Sequence, residues 1–120
     1  MADFLPKTYN PPAAVTGDTY DGFSITGITI DGANPSNTLA SVRLQFRTAP
    51  DATTAALELT SAAGDITIDD SATWAITIEA FTISLAAGRY YYDIEFTDSA
   101  GLIRTYVAGS WRVDQDVTRT

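Results

Sequence analysis

The sequence of 120 residues contains no cysteine and no histidine. Without cysteine it can form no disulfide, no thiolate metal site and no cysteine nucleophile, which fits synthesis in a reducing cytoplasm. Without histidine it lacks the usual general base, the commonest zinc ligand and the usual serine triads. We therefore expect a protein that is not an enzyme and binds no cofactor.

Basic residues are also scarce. Seven Lys and Arg stand against fifteen Asp and Glu, which gives a formal net charge of −8. Such a surface repels nucleic-acid phosphates and anionic lipid headgroups, so we expect neither nucleic-acid binding nor membrane insertion. No apolar run is long enough to span a membrane, and the first residues lack the pattern of a signal peptide. The charge favours a solvated surface, with a basic protein partner as the alternative.

The first fourteen residues differ in composition from the rest. Prolines at positions 6, 11 and 12 disfavour regular structure, while Phe4, Leu5 and Tyr9 supply apolar anchors. We expect an extended N-terminal arm over residues 1–14 and one domain over residues 15–120. The arm is either a frayed terminus or a segment whose apolar side chains lie on a neighbouring subunit.

The rest of the chain alternates between apolar and polar residues in short runs, with no amphipathic helix. The clearest run is Tyr90–Phe96, followed by turn residues 98–101 and a returning run over residues 102–108. Gly109 interrupts that second run and predicts a bulge or bend. The sequence thus predicts a β-hairpin near its end.

Further short strands precede this hairpin. We predict them at residues 23–30, with a bulge at Gly27, and at residues 42–47, 55–59, 65–70 and 74–78. Residues 55–59 fit either a strand or one helical turn, and the surrounding strands favour a strand. Seven to eight antiparallel strands predict an all-β protein, an immunoglobulin-like β-sandwich.

One short motif supports the same fold. Leu85, Gly88 and Tyr90 are spaced like the tyrosine corner of immunoglobulin-like sandwiches, in which a phenol bonds nearby backbone between the two sheets. In antibody domains a cysteine follows two residues later, and here that position is Tyr92. An ordinary tyrosine at the start of a strand stays open as the alternative.

Two sets of side chains are candidates for an interface. Arg43, Gln45 and Arg47 share the outward face of one strand, as a docking surface or as a solvated sheet face. Three aromatic residues alternate against their apolar neighbours and are candidates for exposure: Tyr91, Tyr106 and Trp111. They fit core packing, a protein interface or a platform that stacks on sugars.

Carboxylates offer two weaker candidates. Asp65, Asp69 and Asp70 crowd one turn and Asp18 and Asp21 another, which is a possible calcium site, but the EF-hand glycine and glutamate are missing. We favour solvated turn carboxylates, and expect no metal.

A second carboxylate pair, Asp93 and Glu95, has the residue types of a glycosidase but alternates with core residues and so faces outward. Nothing in the surrounding pattern indicates a pocket that would raise either pKa. We therefore expect the pair to be solvated rather than catalytic.

The second half of the chain resembles the immunoglobulin-like N-terminal domain of phage baseplate upper proteins and related tailed-phage virion modules. The similarity rests on three stretches: Thr73–Ile76, Leu85–Ile94 with its L-x-x-G-x-Y pattern, and Tyr106–Val113 followed by Asp116–Arg119. The start Gly17-Asp18-Thr19 followed by Phe23 also fits. Only the last third is motif-specific.

The resemblance implies a β-sandwich that docks on a virion assembly and is made in the bacterial host cytoplasm. Because the chain stops at Thr120, where that group commonly continues into a linker and a receptor-binding part, we expect a small tail, neck or baseplate adaptor. Its partners would be other virion proteins and further copies of itself. A capsid decoration protein and a module that binds host-surface glycans are the alternatives.

Overall fold

The computed structural model describes residues 7–29, 33 and 35–115, and this part of the chain contains strands and no helix. The strands, in chain order, are β1 Lys7–Thr8, β2 Ala14–Val15, β3 Thr19–Tyr20, β4 Phe23–Ile25, β5 Leu39–Arg47, β6 Leu57–Thr60, β7 Ile66–Asp70, β8 Ala75–Ile78, β9 Phe81–Thr82, β10 Gly88–Asp98 and β11 Ile103–Asp114. Seven of these have three or more residues, in agreement with the predicted seven to eight. In the described residues no helix is long and apolar enough to cross a membrane.

The strands form two facing sheets. The larger has the order β1-β11-β10-β5-β6, with β2 also beside β11, and the smaller has the order β4-β8-β7. A short ladder of β3 and β9 stands apart. Immunoglobulin domains divide their strands in this way: β4, β8 and β7 match strands B, E and D of one sheet, and β11, β10, β5 and β6 match strands G, F, C and C′ of the other. The predicted all-β, immunoglobulin-like sandwich is confirmed.

The period-two pattern places the core between the sheets. Val42, Leu44 and Phe46 of β5 are buried, as are the alternate residues of β10 from Tyr90 to Phe96. From the smaller sheet, Ile76 and Ile78 face them. The predicted inward faces of these strands are confirmed.

The turn of the β10–β11 hairpin is built on Asp98. Its Oδ1 accepts the backbone N–H groups of Ala100 and Leu102, and its Oδ2 accepts the side-chain amide of Asn37. Gly101 completes the turn with φ of +85°, which glycine adopts without strain. The turn residues predicted from sequence therefore act through the expected chemistry.

The tyrosine corner is present. The hydroxyl of Tyr90 donates a 2.6 Å hydrogen bond to the carbonyl of Ala86, four residues upstream. Leu85 is buried just before it, and Gly88 begins β10. This bond ties the crossover from the smaller sheet to the start of β10, and the corner hypothesis is confirmed over the ordinary strand-start alternative.

The predicted bulge at Gly109 is wrong, and a different residue interrupts the ladder. Gly109 pairs regularly with Tyr92, whereas the register shifts after Ile94, which pairs with Val107 while Glu95 pairs with Thr105. Tyr106 is the extra residue of this bulge. Two consecutive side chains, Tyr106 and Val107, consequently both point into the core.

Several predicted strands have different bounds. The run expected over residues 23–30 is paired only at Phe23–Ile25, and Gly27 follows outside the ladder with φ of +73°; residue 30 lies outside the described residues. The run expected over residues 55–59 is a strand at Leu57–Thr60. The paired part of β4 in the smaller sheet is therefore shorter than the pattern predicts.

Residues 7–15, here called the N-terminal strap, lie along the edge of β11 in the same chain. Lys7 pairs with Val107 and Ala14 with Val113, both in parallel. Residues 7–14 therefore belong to the sandwich rather than to a separate arm, which corrects the predicted boundary at residue 15. Phe4 and Leu5, the other apolar side chains of the predicted arm, lie outside the described residues.

Hydrogen bonds fasten the strap between its two short strands. They run from Tyr9 N–H to Ala108 O (3.0 Å), from the Tyr92 hydroxyl to Tyr9 O (2.5 Å), from Ser110 N–H to Asn10 Oδ1 (3.0 Å) and from Trp111 Nε1–H to Pro12 O (2.9 Å). Two core aromatic residues, Tyr92 and Trp111, thus donate side-chain hydrogen bonds to carbonyl groups of the strap. The prolines interrupt the strand pairing, and these side chains take over where pairing stops.

Aromatic rings fill both ends of the core. At one end Trp111 contacts the rings of Tyr20, Phe46 and Phe81. At the other end Trp74 stacks on Phe96, with ring centroids 5.9 Å apart.

Trp74 adopts φ of +63°, a conformation that strains bulky residues by about 1–3 kcal/mol. Burial of its ring and a 2.7 Å hydrogen bond from its Nε1–H to Asn37 O hold it there. Packing at this end of the core therefore offsets the local backbone strain.

Candidate functional site

Two of the three aromatic residues predicted as candidates for exposure are buried. Tyr106 is 3% exposed and Trp111 1% exposed, so neither is available to a sugar ring or a protein partner. The bulge turns Tyr106 inward, and Trp111 lies inward because Gly109 continues the ladder without interruption. The core-packing alternative is correct for both, and their assignment to an interface is wrong.

Tyr91 is the aromatic residue of the three that reaches solvent, with 37% of its surface exposed. It lies on the outer side of β10, and Arg47 of β5 is its register partner. On the same side of the two strands, Gln45 pairs with Asp93 and Arg43 with Glu95. These six residues are here called the outer face.

The outer face is not the purely basic strip that the sequence of β5 predicts. Arg43 forms an ion pair with Glu95 (2.5 Å), and this carboxylate hydrogen bond raises the pKa of the Arg43 guanidinium above its ordinary value. Glu58 of β6 lies beside Gln45 and accepts its side-chain amide. Acidic side chains on neighbouring strands therefore balance the two arginines.

Arg47 is held in one orientation. Its guanidinium donates to the carbonyl of Ala52 (2.8 Å) and to Oε1 of Gln45 (2.7 Å). Beside it is a shallow depression of about 300 Å³, whose lining includes Tyr91, Asp93 and Pro50. An ordered guanidinium next to an exposed phenol is the composition of a protein-binding hot spot.

Asp93 lies in the middle of the outer face. Partial burial and the neighbouring Glu95 raise the pKa of its carboxyl, while Arg47 and Arg43 lower it to a smaller degree. No hydrogen bond to this carboxyl comes from any residue within the described ranges. Asp93 is exposed, so its carboxyl is open to solvent at the surface of the sheet.

Three of the five candidate calcium carboxylates serve local structure. Asp65 accepts the backbone N–H of Thr60, Asp69 accepts the hydroxyl of Thr77, and Asp70 accepts the N–H of Ala72. Among the residues that the structure describes, no group of three Asp or Glu side chains is placed to hold a metal ion. These carboxylates shape the turns around β7.

One exposed feature was missed from sequence. Leu102 and Ile103, at the tip of the β10–β11 hairpin, are 50% and 63% exposed. Neighbouring side chains of a regular strand point to opposite sides, so two adjacent apolar residues beside the turn indicate that at least one is exposed, and this signal was available in the sequence. They lie at the far end of β11 from the strap.

The buried Tyr92 and the half-buried Tyr20 make the stability of the fold sensitive to alkaline pH. Burial, with smaller contributions from Tyr9 and Asp21, raises the pKa of Tyr20 to about 12, and burial chiefly raises that of Tyr92. An unfolded chain loses these protons near pH 10, before the folded protein does. Stability is therefore fully present below about pH 10 and should fall as pH rises through the folded values.

The measurement is urea unfolding at pH 8, 9.5, 10.5 and 11. We expect a midpoint that is constant to about pH 9.5 and falls above it. In Tyr92→Phe, which has one phenol fewer to ionise, the decline should be shallower, although this variant starts from a lower midpoint. An equally steep decline in Tyr92→Phe would contradict the assignment to Tyr92.

Comparisons with known proteins add little to this geometry. No protein-family model and no curated protein matches the chain. Among solved structures, the PKD domain from the KIAA 1837 protein is similar, with 13% identity, coverage of 98% of this chain and 89% of that domain, and a TM-score of 0.34. A likeness at this level carries no argument, and the fold assignment rests on the strand order.

Proposed function

We propose that the protein is a non-enzymatic structural component of a tailed-phage virion, an adaptor of the tail, neck or baseplate that docks through protein–protein contacts. The observation that supports docking is the outer face, where Arg47 is fixed by two hydrogen bonds beside the exposed Tyr91. Arg and Tyr are the residue types that dominate binding energy at protein interfaces.

The proposed location rests on the resemblance of residues 85–113 to virion modules. Their motif residues have structural roles here, since Tyr90 forms the corner and Trp111 fills the core. Asp116–Arg119, the last part of that motif, lies outside the described residues. The proposal therefore takes the scaffold from the motif and the docking from the outer face, of which Tyr91 and Asp93 lie within the motif stretches and the other four residues do not.

Burial weakens the glycan-binding alternative. A sugar platform needs several exposed aromatic rings, and of its three candidate rings only Tyr91 is exposed. A capsid decoration protein would use the same kind of protein contact, so it differs from the adaptor only in its place on the particle.

The test is to locate the protein on particles. Phage particles from the source culture are banded on a density gradient and probed with an antibody raised against the recombinant chain. We expect the protein in the particle band and immunogold label at one fixed position, the tail for an adaptor and the head for a decoration protein. Protein found only at the top of the gradient would overturn the proposal, and quenching of tyrosine or tryptophan fluorescence by host polysaccharide would favour glycan binding.

A further inference from the structure

The outer face consists of two complementary rows. The β5 row carries Arg47, Gln45 and Arg43, and the β10 row carries Tyr91, Asp93 and Glu95 at the same three heights. Each residue of one row is thus beside a residue of the other row that it can bind: guanidinium beside phenol, amide beside carboxylate, guanidinium beside carboxylate. This pairing has a consequence for symmetry.

Consider a twofold axis that runs parallel to the strands, above the outer face and midway between β5 and β10. Rotation about this axis leaves each residue at the same position along the strand direction and exchanges the two rows. A second copy placed by this axis lays its β10 row over the β5 row of the first copy, and its β5 row over the β10 row. Every contact is then complementary, and the interface is the same patch on both copies, as closed dimers require. Two sheet faces pack well in such an aligned arrangement.

We propose that the outer face is a self-association surface, through which two copies of this chain pair face to face with Arg43 opposite the partner's Glu95 and Arg47 opposite the partner's Tyr91. The inference rests on the proposed function, because it identifies a second copy of the chain as the protein that docks on the outer face.

The side chains have the capacity for these contacts. A guanidinium has five N–H donors, so Arg43 can bind a second carboxylate while it keeps its own Glu95. Arg43 and Glu95 of two copies then form a closed ring of four charges. Asp93, to which no described residue donates a hydrogen bond, receives an amide from the Gln45 above it, and Arg47 covers the exposed ring of Tyr91.

The experiment is sedimentation velocity on Arg43→Glu, on Glu95→Arg and on an equimolar mixture of the two, in 0.15 M salt. Ionic strength at this level limits the repulsion between chains of net charge −8 to about 8 Å. Arg112→Glu is the matched control, because Arg112 is likewise an exposed strand arginine with its own ion pair, to Asp114, but lies outside the two rows.

We expect a dimer for the unmodified chain and for Arg112→Glu. Each single reversal places like charges opposite one another, and its dissociation constant should rise by about tenfold or more. The mixture should regain dimers, because the charges at positions 43 and 95 are again opposite in sign where one variant faces the other. Since mixing cannot repair the ion pair inside either chain, recovery reports contact between copies.

Glu95→Arg separates specific contact from general repulsion. It makes the acidic chain less charged, so repulsion alone would strengthen association, whereas the proposed contact weakens it. A monomeric unmodified chain at 100 μM, single reversals that associate like the control, or a mixture without recovery would each overturn the inference. The gradient experiment is independent, so a monomer that still bands with particles refutes the dimer and leaves the proposed function standing.

Discussion

Replacing Trp111 by alanine should lower the free energy of unfolding by about 3–5 kcal/mol, the range found when large aromatic side chains are removed from protein cores. The indole lies between the two sheets, with its ring centroid 5.0 Å from that of Tyr20, 5.3 Å from Phe46 and 6.3 Å from Phe81. The substitution also removes the donor that binds the strap at Pro12. Urea unfolding followed by far-ultraviolet circular dichroism measures the change.

Two further variants show which part of Trp111 matters. Trp111→Phe keeps a ring in the core but leaves the Pro12 carbonyl without its donor, so we expect an intermediate loss of about 1–3 kcal/mol. Tyr91→Ala removes an exposed aromatic residue from the adjacent strand and should change stability by no more than about 0.5 kcal/mol. If Trp111→Ala were as harmless as Tyr91→Ala, the indole would lie on the surface, as the sugar-platform hypothesis required.

The parts of the fold that depend on local pattern were predictable from the sequence. The alternation of apolar and polar residues placed Val42, Leu44 and Phe46 in the core. The residue types of Asp98 and Gly101 placed them in a tight turn. The motif at Tyr90 predicted the corner, because its hydrogen bond spans only four residues. Each of these features is decided by neighbours in the chain, which a sequence displays directly.

The burial of Tyr106 was not predictable in this way. A bulge shifts the period by one residue, and its position depends on how two strands pair rather than on the pattern of one. The sequence predicts the interruption at Gly109, because glycine often marks a bulge in a strand, but Gly109 keeps regular register with Tyr92. The glycine is needed for another reason, the approach of a segment one hundred residues earlier in the chain.

The outer face needed the register of two distant strands. Arg43 and Glu95 are 52 residues apart, so their pairing is invisible until β5 and β10 are aligned. From the sequence of β5 alone the arginines predict a basic strip, and the partner row changes this into a balanced surface. Sequence reasoning therefore found outward-facing residues on both strands but not that the acidic ones lie beside the arginines.

Gly109→Ala should destabilise the protein by about 2–4 kcal/mol, although alanine is ordinarily the better residue in a strand. A Cβ atom at this position would lie 2.0 Å from the carbonyl oxygen of Tyr9 and 2.9 Å from Asn10 Oδ1, so the strap must move away. The hydrogen bonds of Tyr9, Asn10 and Pro12 to β10 and β11 depend on this approach, and each contributes about 0.5–1.5 kcal/mol.

The sign of this change in stability shows whether the strap lies on β11. If the strap did not lie on β11, Gly109→Ala would stabilise the protein by about 0.4–1 kcal/mol, because alanine restricts the unfolded chain. A second readout follows the strap directly, since Lys7 is the only lysine in the sequence. A lysine-specific protease should cut after Lys7 slowly in the unmodified chain, where β1 pairs with β11, and markedly faster in Gly109→Ala. Equal cutting rates together with a gain in stability would mean that the strap is not fastened at Gly109.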